Sequence, residues 1–69
     1  MTNTELLEDY IAKSGYKKSF IANKMGLTSY GFMLKVNNKS NFKSNEIVML
    51  CDLLNIDEGN MVKIFLTKK

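Results

Sequence analysis

Residues 17–39 read KKSFIANKMGLTSYGFMLKVNNK, and this stretch decides the expected fold. Ile21, Ala22 and Met25 recur at the spacing of one buried helix face. Gly26 follows them, where helices often end in a left-handed conformation that glycine adopts without a Cβ clash. The first half of the stretch therefore predicts a helix that ends in a tight turn.

The second half of the stretch predicts another helix. Leu27 is apolar and would hold the turn against the core, and Thr28 or Ser29 can cap the new helix by accepting a hydrogen bond from its first N–H groups. Phe32 and Val36, four residues apart, would bury one face. A helix, a glycine turn and a capped helix form a helix-turn-helix, whose second helix can enter the major groove of DNA.

An ordinary helical hairpin in a small bundle would show the same order of elements. The small side chain of Ala22 favours the helix-turn-helix, because it lets the second helix cross closely, and Gly26 four residues later adds to this. We therefore predict a helix-turn-helix over residues 17–39.

The flanking segments extend this unit to an all-α fold of five short helices, in one domain over residues 1–69. Helices are predicted over residues 2–14, 16–25, 29–37, from a cap at Ser44 to Leu54, and from a cap at Asp57 to about Leu66. Thr2 and Glu5 fit a capping box for the first helix, and residues 67–69 are expected to fray. Outside the central stretch, the expected core residues are Leu6, Leu7, Tyr10, Ile11, Phe42, Ile47, Leu50, Cys51, Leu54, Met61, Ile64 and Phe65.

Charge is distributed unevenly, although the net charge is only +3. No acid stands between Asp9 and Glu46. That interval contains Lys13, Lys17, Lys18, Lys24, Lys35, Lys39 and Lys43. Lysines that are merely solvated on one face are a common alternative. However, positive charge without acids that coincides with a helix-turn-helix favours double-stranded DNA as a partner.

Composition argues against several other classes of protein. With one cysteine and no histidine, the chain offers no internal disulfide and no Cys/His zinc site. No apolar run approaches the roughly 20 residues of a membrane span, and the acidic start is unlike a signal peptide, so we expect a cytoplasmic protein. Cys51 has no partner base and there is no glycine-rich phosphate loop, so we expect no enzyme activity, cofactor or metal.

A series of short motifs follows in order along nearly the whole chain. They are Gly26, Phe32, Lys35, Asn37-Asn38-Lys39-Ser40, Phe42, Glu46-Ile47, Leu50-Cys51 and Ile64-Phe65. With these motifs the chain resembles the lambda-repressor-like (Cro/XRE) family, and within it small regulators of Gram-positive phages and prophages. The resemblance implies a transcriptional regulator, often in a lysis–lysogeny switch, that works as a homodimer or with a cognate phage repressor.

The resemblance also implies a set of DNA contacts. The start of the second helix would meet a phosphate, the outward face of the third would meet base edges, and the following loop would clamp the backbone. The residues expected at these positions are Lys17, Lys18, Thr28, Ser29, Tyr30, Asn37, Asn38, Lys39, Ser40 and Lys43.

Several apolar residues depart from the family pattern. Relatives usually carry Arg, Ser or Thr where this chain has Ser29, Met33 and Leu34, and the last two can only touch thymine methyl groups. Phe20 stands where a solvated side chain is usual. Together with Tyr30, these residues either turn into the core or form an exposed apolar patch of Phe20, Tyr30, Met33 and Leu34.

An exposed patch of this kind usually marks a protein–protein site. It raises a second candidate function, an antirepressor that uses its helix-turn-helix face to bind and inactivate the DNA-binding domain of a cognate repressor. The two hypotheses place different residues in contact with the partner, so mutations can separate them.

Overall fold

In a computed structural model that describes residues 1–66, the chain is helical, and no strand occurs among those residues. The helices are α1 (Thr4–Ser14), α2 (Lys18–Lys24), α3 (Ser29–Val36), α4 (Ser44–Leu54) and α5 (Glu58–Phe65). The prediction of an all-α fold with five short helices is thereby confirmed. The expected fraying of residues 67–69 lies outside the described residues.

The first helix begins later than the sequence suggested. The Asn3 side chain accepts a hydrogen bond from the backbone N–H of Leu6 at 3.2 Å, so α1 starts at Thr4. The predicted capping box of Thr2 and Glu5 is wrong, because Asn3 supplies the capping oxygen. Similarly, α2 begins at Lys18 rather than residue 16, since the backbone of Lys17 is still extended.

The fourth helix is capped by a different residue from the one predicted. Ser44 is already helical, and Lys43 takes the extended cap position instead. The Glu46 carboxylate reaches back and accepts a hydrogen bond from the Lys43 backbone N–H at 2.8 Å. This satisfies one of the N–H groups left open at a helix start. The predicted cap of α5 is confirmed, because the Asp57 side chain accepts a hydrogen bond from the Asn60 N–H.

One hydrophobic core is shared by all five helices. Its buried members are Leu7, Ile11, Ile21, Ala22, Met25, Phe32, Val36, Leu50, Leu54, Ile56, Ile64 and Phe65. The remaining predicted core residues, Leu6, Tyr10, Leu27, Phe42, Ile47, Cys51 and Met61, are partly buried against it.

The loop after α3 is anchored by an aromatic side chain. The ring of Phe42 packs edge-on against Phe32 at 6.3 Å and against Phe65 at 5.4 Å between centroids. Edge-to-face pairs of this kind add to the free energy gained from burial. The loop is therefore held between α3 and α5.

No helix in residues 1–66 combines the length and the apolar character needed to cross a membrane.

Candidate functional site

The turn between α2 and α3 holds the two helices in a fixed relation. Gly26 has a φ of 74°, which a residue with a side chain adopts only at a cost. The Leu27 N–H donates to the Ala22 carbonyl at 2.8 Å. Ala22 is 1% exposed, and α2 packs more extensively on α3 than on any other helix. The small residues and the turn together fix the position of α3 relative to α2.

The start of α3 explains a glycine that lowers helix propensity. The Thr28 hydroxyl accepts a hydrogen bond from the Gly31 N–H at 3.0 Å and caps the helix. A Cβ at position 31 would lie only 3.1 Å from that hydroxyl oxygen. Glycine therefore makes room for the cap, which compensates part of its cost of about 1 kcal/mol relative to alanine.

The face of α3 opposite the core is open to solvent. Phe32 and Val36 are buried, whereas Tyr30 is 65% and Met33 is 48% exposed. Ser29 and Asn37 are exposed as well, and Leu34 is half-buried. A rotation that buries Tyr30 and Met33 is therefore excluded, and both remain available to a partner.

Phe20 contacts two residues that were not part of the predicted patch. Its ring lies 4.9 Å from the Tyr16 ring, and the Lys24 ammonium lies 5.5 Å from its centroid. Among residues 1–66, no aromatic pair joins Phe20 to Tyr30. Phe20 on α2 therefore contacts Tyr16 and Lys24, while Tyr30, Met33 and Leu34 stand on α3.

Lys18, the expected phosphate contact at the start of α2, is paired with an acid. Its ammonium lies 2.9 Å from the Glu8 carboxylate on α1. The side chains are 51% and 37% exposed, and such surface pairs contribute about 0.2–1 kcal/mol. The ammonium can therefore exchange this carboxylate for another anion at small cost.

Lys35 lies in the lysine-rich interval but does not face solvent. Its ammonium donates to the Glu46 carboxylate and to the Asn41 carbonyl, each at 2.9 Å. The Lys35 and Glu46 side chains are only 12% and 8% exposed. This pair ties the end of α3 and its loop to the start of α4.

The Glu46 carboxylate is held in its charged form. Desolvation raises its pKa, but the hydrogen bonds from the Lys43 N–H and the Lys35 ammonium and the nearby positive charge outweigh that effect, so the pKa lies below its ordinary value.

Asn38, expected to clamp the DNA backbone, uses its amide within the chain. Its side chain accepts from the Thr2 N–H at 2.7 Å and donates to the Thr2 carbonyl at 2.8 Å. The Thr4 hydroxyl donates to the Val36 carbonyl at 2.6 Å. Asn38 therefore fastens the N-terminal segment to the end of α3, and a left-handed φ of 63° allows it to do so.

The remaining predicted contacts are exposed residues before α2 and after α3. Lys17 precedes α2, and Lys39, Ser40 and Lys43 follow α3, all with exposed side chains. The Lys39 and Ser40 N–H groups both donate to the Leu34 carbonyl, at 2.8 and 3.3 Å, which orders the loop.

The rest of residues 1–66 offers few side chains that could bind a metal ion or act as a nucleophile. Residues 1–66 contain no group of three His, Cys, Asp or Glu side chains placed to hold a metal ion. Cys51 is half-buried in α4, and desolvation, with a smaller effect of the Asp52 charge, raises the pKa of its thiol. Such a thiol is a poor nucleophile near neutral pH.

A family model described as a protein of unknown function (DUF739) matches residues 3–68 of the chain. No curated protein matches the chain, and no solved structure does so.

Proposed function

We propose that this chain, which belongs to the DUF739 family, is a helix-turn-helix transcriptional regulator of a lysis–lysogeny-like switch. In this proposal α3 lies in the major groove of double-stranded operator DNA. The observation that carries it is the solvent-facing side of α3, presented beside a glycine turn and flanked by exposed lysines. A short capped helix, packed on its predecessor through small residues, matches how such proteins offer a helix to DNA.

Contacts to the DNA backbone would come from both sides of α3. Lys17 and Lys18 stand at the start of α2, and Lys39, Ser40 and Lys43 follow α3 with exposed side chains. Such contacts position a protein on the duplex and make its affinity depend on salt. We leave Asn38 out of this set, because its side-chain amide is hydrogen-bonded within the chain.

Contacts to the bases would be unusually apolar. Tyr30 and Met33 can pack against thymine methyl groups, and the Asn37 amide can pair with adenine. No arginine stands on α3 to read guanine through two hydrogen bonds. The proposal therefore includes a preference for operators with A·T pairs where α3 meets the groove.

The first test is fluorescence anisotropy of labelled promoter DNA from beside the protein's own gene, at two salt concentrations. The proposal expects specific, salt-sensitive binding by the protein alone. Lys39→Ala should weaken this binding and lower the salt slope by about 1. Lys63→Ala on α5 removes the same charge away from α3 and serves as the control. Equal slopes for the two variants would contradict the proposed interface.

A second candidate function is favoured by the exposure of Tyr30 and Met33, at 65% and 48%. Solvent-exposed aromatic and methionine side chains are typical of interface centres. In this alternative, the α3 face binds the DNA-binding domain of a cognate phage repressor and prevents it from binding its operator.

The two candidates differ in which substitution abolishes binding. If the protein captures a repressor, Met33→Asp should abolish the complex while the fold is retained, and Lys39→Ala should have little effect. Val48→Asp is a matched control, because Val48 is 63% exposed on α4. In the anisotropy assay, the protein alone would leave the DNA unbound, and its addition would release the repressor bound there.

A further inference from the structure

A second apolar surface lies where α2 and α4 border a common depression. Two rings and a methionine leave apolar area uncovered there. Tyr16 and Phe20 are each 42% exposed, and Met49 is 37% exposed. The two rings contact each other, with 4.9 Å between their centroids. We refer to this area as the lysine-flanked surface, and it comprises Lys13, Tyr16, Phe20, Lys24, Met49, Asp52 and Leu53.

Two shallow depressions give the lysine-flanked surface its shape. The first, of about 310 Å³, has the apolar side chains of Met25, Met49 and Leu53 in its lining. The second, of about 420 Å³, includes Tyr16 and shares Leu53 with the first. Because they share a wall, the two depressions form one continuous groove. Methionine side chains adapt to different apolar shapes, so apolar side chains of a partner can enter this groove.

The charges along the groove are mainly positive. Lys24 lines the first depression and Lys13 the second, and Asp52, which lines both, is the acid between them. Within residues 1–66, no ion pair involves any of these three side chains. The segment from Lys13 to Lys24, which supplies one side of the groove, contains no acid. The groove therefore offers two unpaired ammonium groups against one carboxylate.

Both lysines are held beside apolar area. The Lys24 ammonium lies 5.5 Å from the centroid of the Phe20 ring, and the Lys13 ammonium lies 6.0 Å from that of Tyr10. At an exposed site such a contact contributes only about 0.5–1 kcal/mol, so each ammonium can still bind a carboxylate. A ligand that suits the groove thus carries apolar groups with carboxylates next to them.

We propose that the lysine-flanked surface binds an amphipathic helix of a partner protein, in which carboxylates flank the apolar face. Such a helix can lay its apolar face in a groove. Its acidic side chains would meet Lys13 and Lys24, and this complementary charge would select the partner. The surface contains no residue of α3, so the inference does not depend on whether α3 binds DNA or a repressor.

A single-stranded nucleic acid is the main alternative occupant, because its bases can stack on exposed rings. Asp52 lines both depressions and would repel backbone phosphates. A helix can instead place an uncharged side chain opposite Asp52. The aliphatic lining from Met49 and Leu53 also suits apolar side chains better than it suits stacked bases, so the groove favours a protein.

Fluorescence anisotropy of a labelled synthetic peptide, titrated with the full chain, tests the inference. The peptide is an amphipathic helix of about 15 residues, with leucines on one face and glutamates on both sides of that face. A second peptide carries glutamine in place of every glutamate. At about 50 mM salt the acidic peptide should bind at least about tenfold more tightly than the neutral one, and this ratio should fall at about 500 mM salt.

Charge changes within the groove have expected effects of opposite sign. Lys13→Gln and Lys24→Gln should each weaken binding of the acidic peptide by up to about fivefold, the effect of one exposed ion pair. Asp52→Asn should instead strengthen it, because it removes the acid between the two lysines. Lys39→Gln makes the same charge change outside the groove and should leave the affinity unchanged.

The apolar contribution is tested separately. Phe20→Ser should weaken binding of both peptides, because it removes apolar area that the leucines would cover. Tyr30→Ser is the matched control, since Tyr30 is an exposed ring on α3. Circular dichroism checks that each variant is folded, and Met49→Ser supplies the same readout if Phe20→Ser does not fold.

An acidic peptide that binds no more tightly than the neutral one overturns the inference. Equal weakening by Lys24→Gln and Lys39→Gln overturns it as well, because the attraction is then to net charge alone. A labelled oligothymidylate that binds more tightly than the acidic peptide, and loses this binding in Phe20→Ser, would assign the surface to single-stranded nucleic acid instead. Each of these outcomes leaves duplex binding by α3 untouched, since Lys39→Ala tests that separately.

Discussion

Replacing Lys35 with methionine would leave the Glu46 carboxylate in a buried site without its counter-charge. Methionine has nearly the same length and fills the same space, so packing changes little. The carboxylate would keep one hydrogen bond, from the Lys43 N–H, and the Asn41 carbonyl would lose its donor. The free energy of unfolding should therefore fall mainly for an electrostatic reason.

The expected loss follows from the burial of the pair. The Lys35 and Glu46 side chains are 12% and 8% exposed, and removing one partner of a buried pair costs about 3–5 kcal/mol. We take the lower end, about 3 kcal/mol, because Glu46 keeps the bond from Lys43. For a domain of this size, that corresponds to a fall in Tm of roughly 12–24 °C. A chain of 69 residues has a total stability of only about 3–10 kcal/mol.

Urea denaturation followed by circular dichroism at pH 7 measures this loss. Lys18→Met is the matched control, since it breaks the exposed pair with Glu8 and should cost at most about 1 kcal/mol. The double variant Lys35→Met with Glu46→Gln should recover most of the stability, because glutamine is neutral and can still accept from the Lys43 N–H. Equal losses for Lys35→Met and Lys18→Met would refute the reasoning, as would a double variant no more stable than Lys35→Met.

Three further predictions concern pH, the turn and the surface pair. The pKa of Glu46 is lower in the folded state than its ordinary value of 4.5. The Glu46 carboxylate therefore stabilises the fold above pH 4.5, and this contribution is lost as the pH falls below 4.5 towards the folded pKa. In Glu46→Gln, the free energy of unfolding should change less with pH in that window. Gly26→Ala should cost about 1–2 kcal/mol through its positive φ alone, since no atom lies within 4 Å of the new Cβ. Gly59→Ala, in the first turn of α5 and free of that strain, should be neutral or stabilising by up to about 1 kcal/mol. Thermal melts of both glycine variants measure these changes. If α3 binds DNA, Glu8→Gln should release Lys18 and raise affinity by up to about fivefold at low salt, as measured by anisotropy; weaker binding would contradict a phosphate contact by Lys18.

The helical part of the fold was predictable because it depends on local periodicity. The spacing of Ile21, Ala22 and Met25, and of Phe32 and Val36, identified the faces that the structure buries. These signals need only the period of a helix and the tendency of apolar groups to avoid water.

The internal ties of the candidate site were not predictable in the same way. Lys35 and Glu46 are 11 residues apart, and Thr2 and Asn38 are 36 apart. All four residues are polar, so an argument from helical periodicity places them on the surface, facing solvent or a ligand. Only the folded path of the chain brings each pair together, which is why Asn38 was expected to contact DNA although its amide is hydrogen-bonded within the chain.

The neighbours of the apolar residues were not predictable for a related reason. The sequence left open whether Phe20, Tyr30 and Met33 turn into the core or lie exposed, and each of them is exposed. It could not indicate which neighbours each would have. Phe20 pairs with Tyr16, which lies two residues before the start of α2, so helical periodicity could not indicate this contact.

The hydrogen bond from the Asn3 N–H to the Ile64 carbonyl, at 2.6 Å, has a consequence for synthesis on the ribosome. It joins the start of α1 to the end of α5, so it cannot form until Ile64 has emerged. A nascent chain can form α2 and α3 earlier, and Thr2 can already reach Asn38. The last helix then closes the domain against its beginning, and a chain stalled before Ile64 would lack this closure.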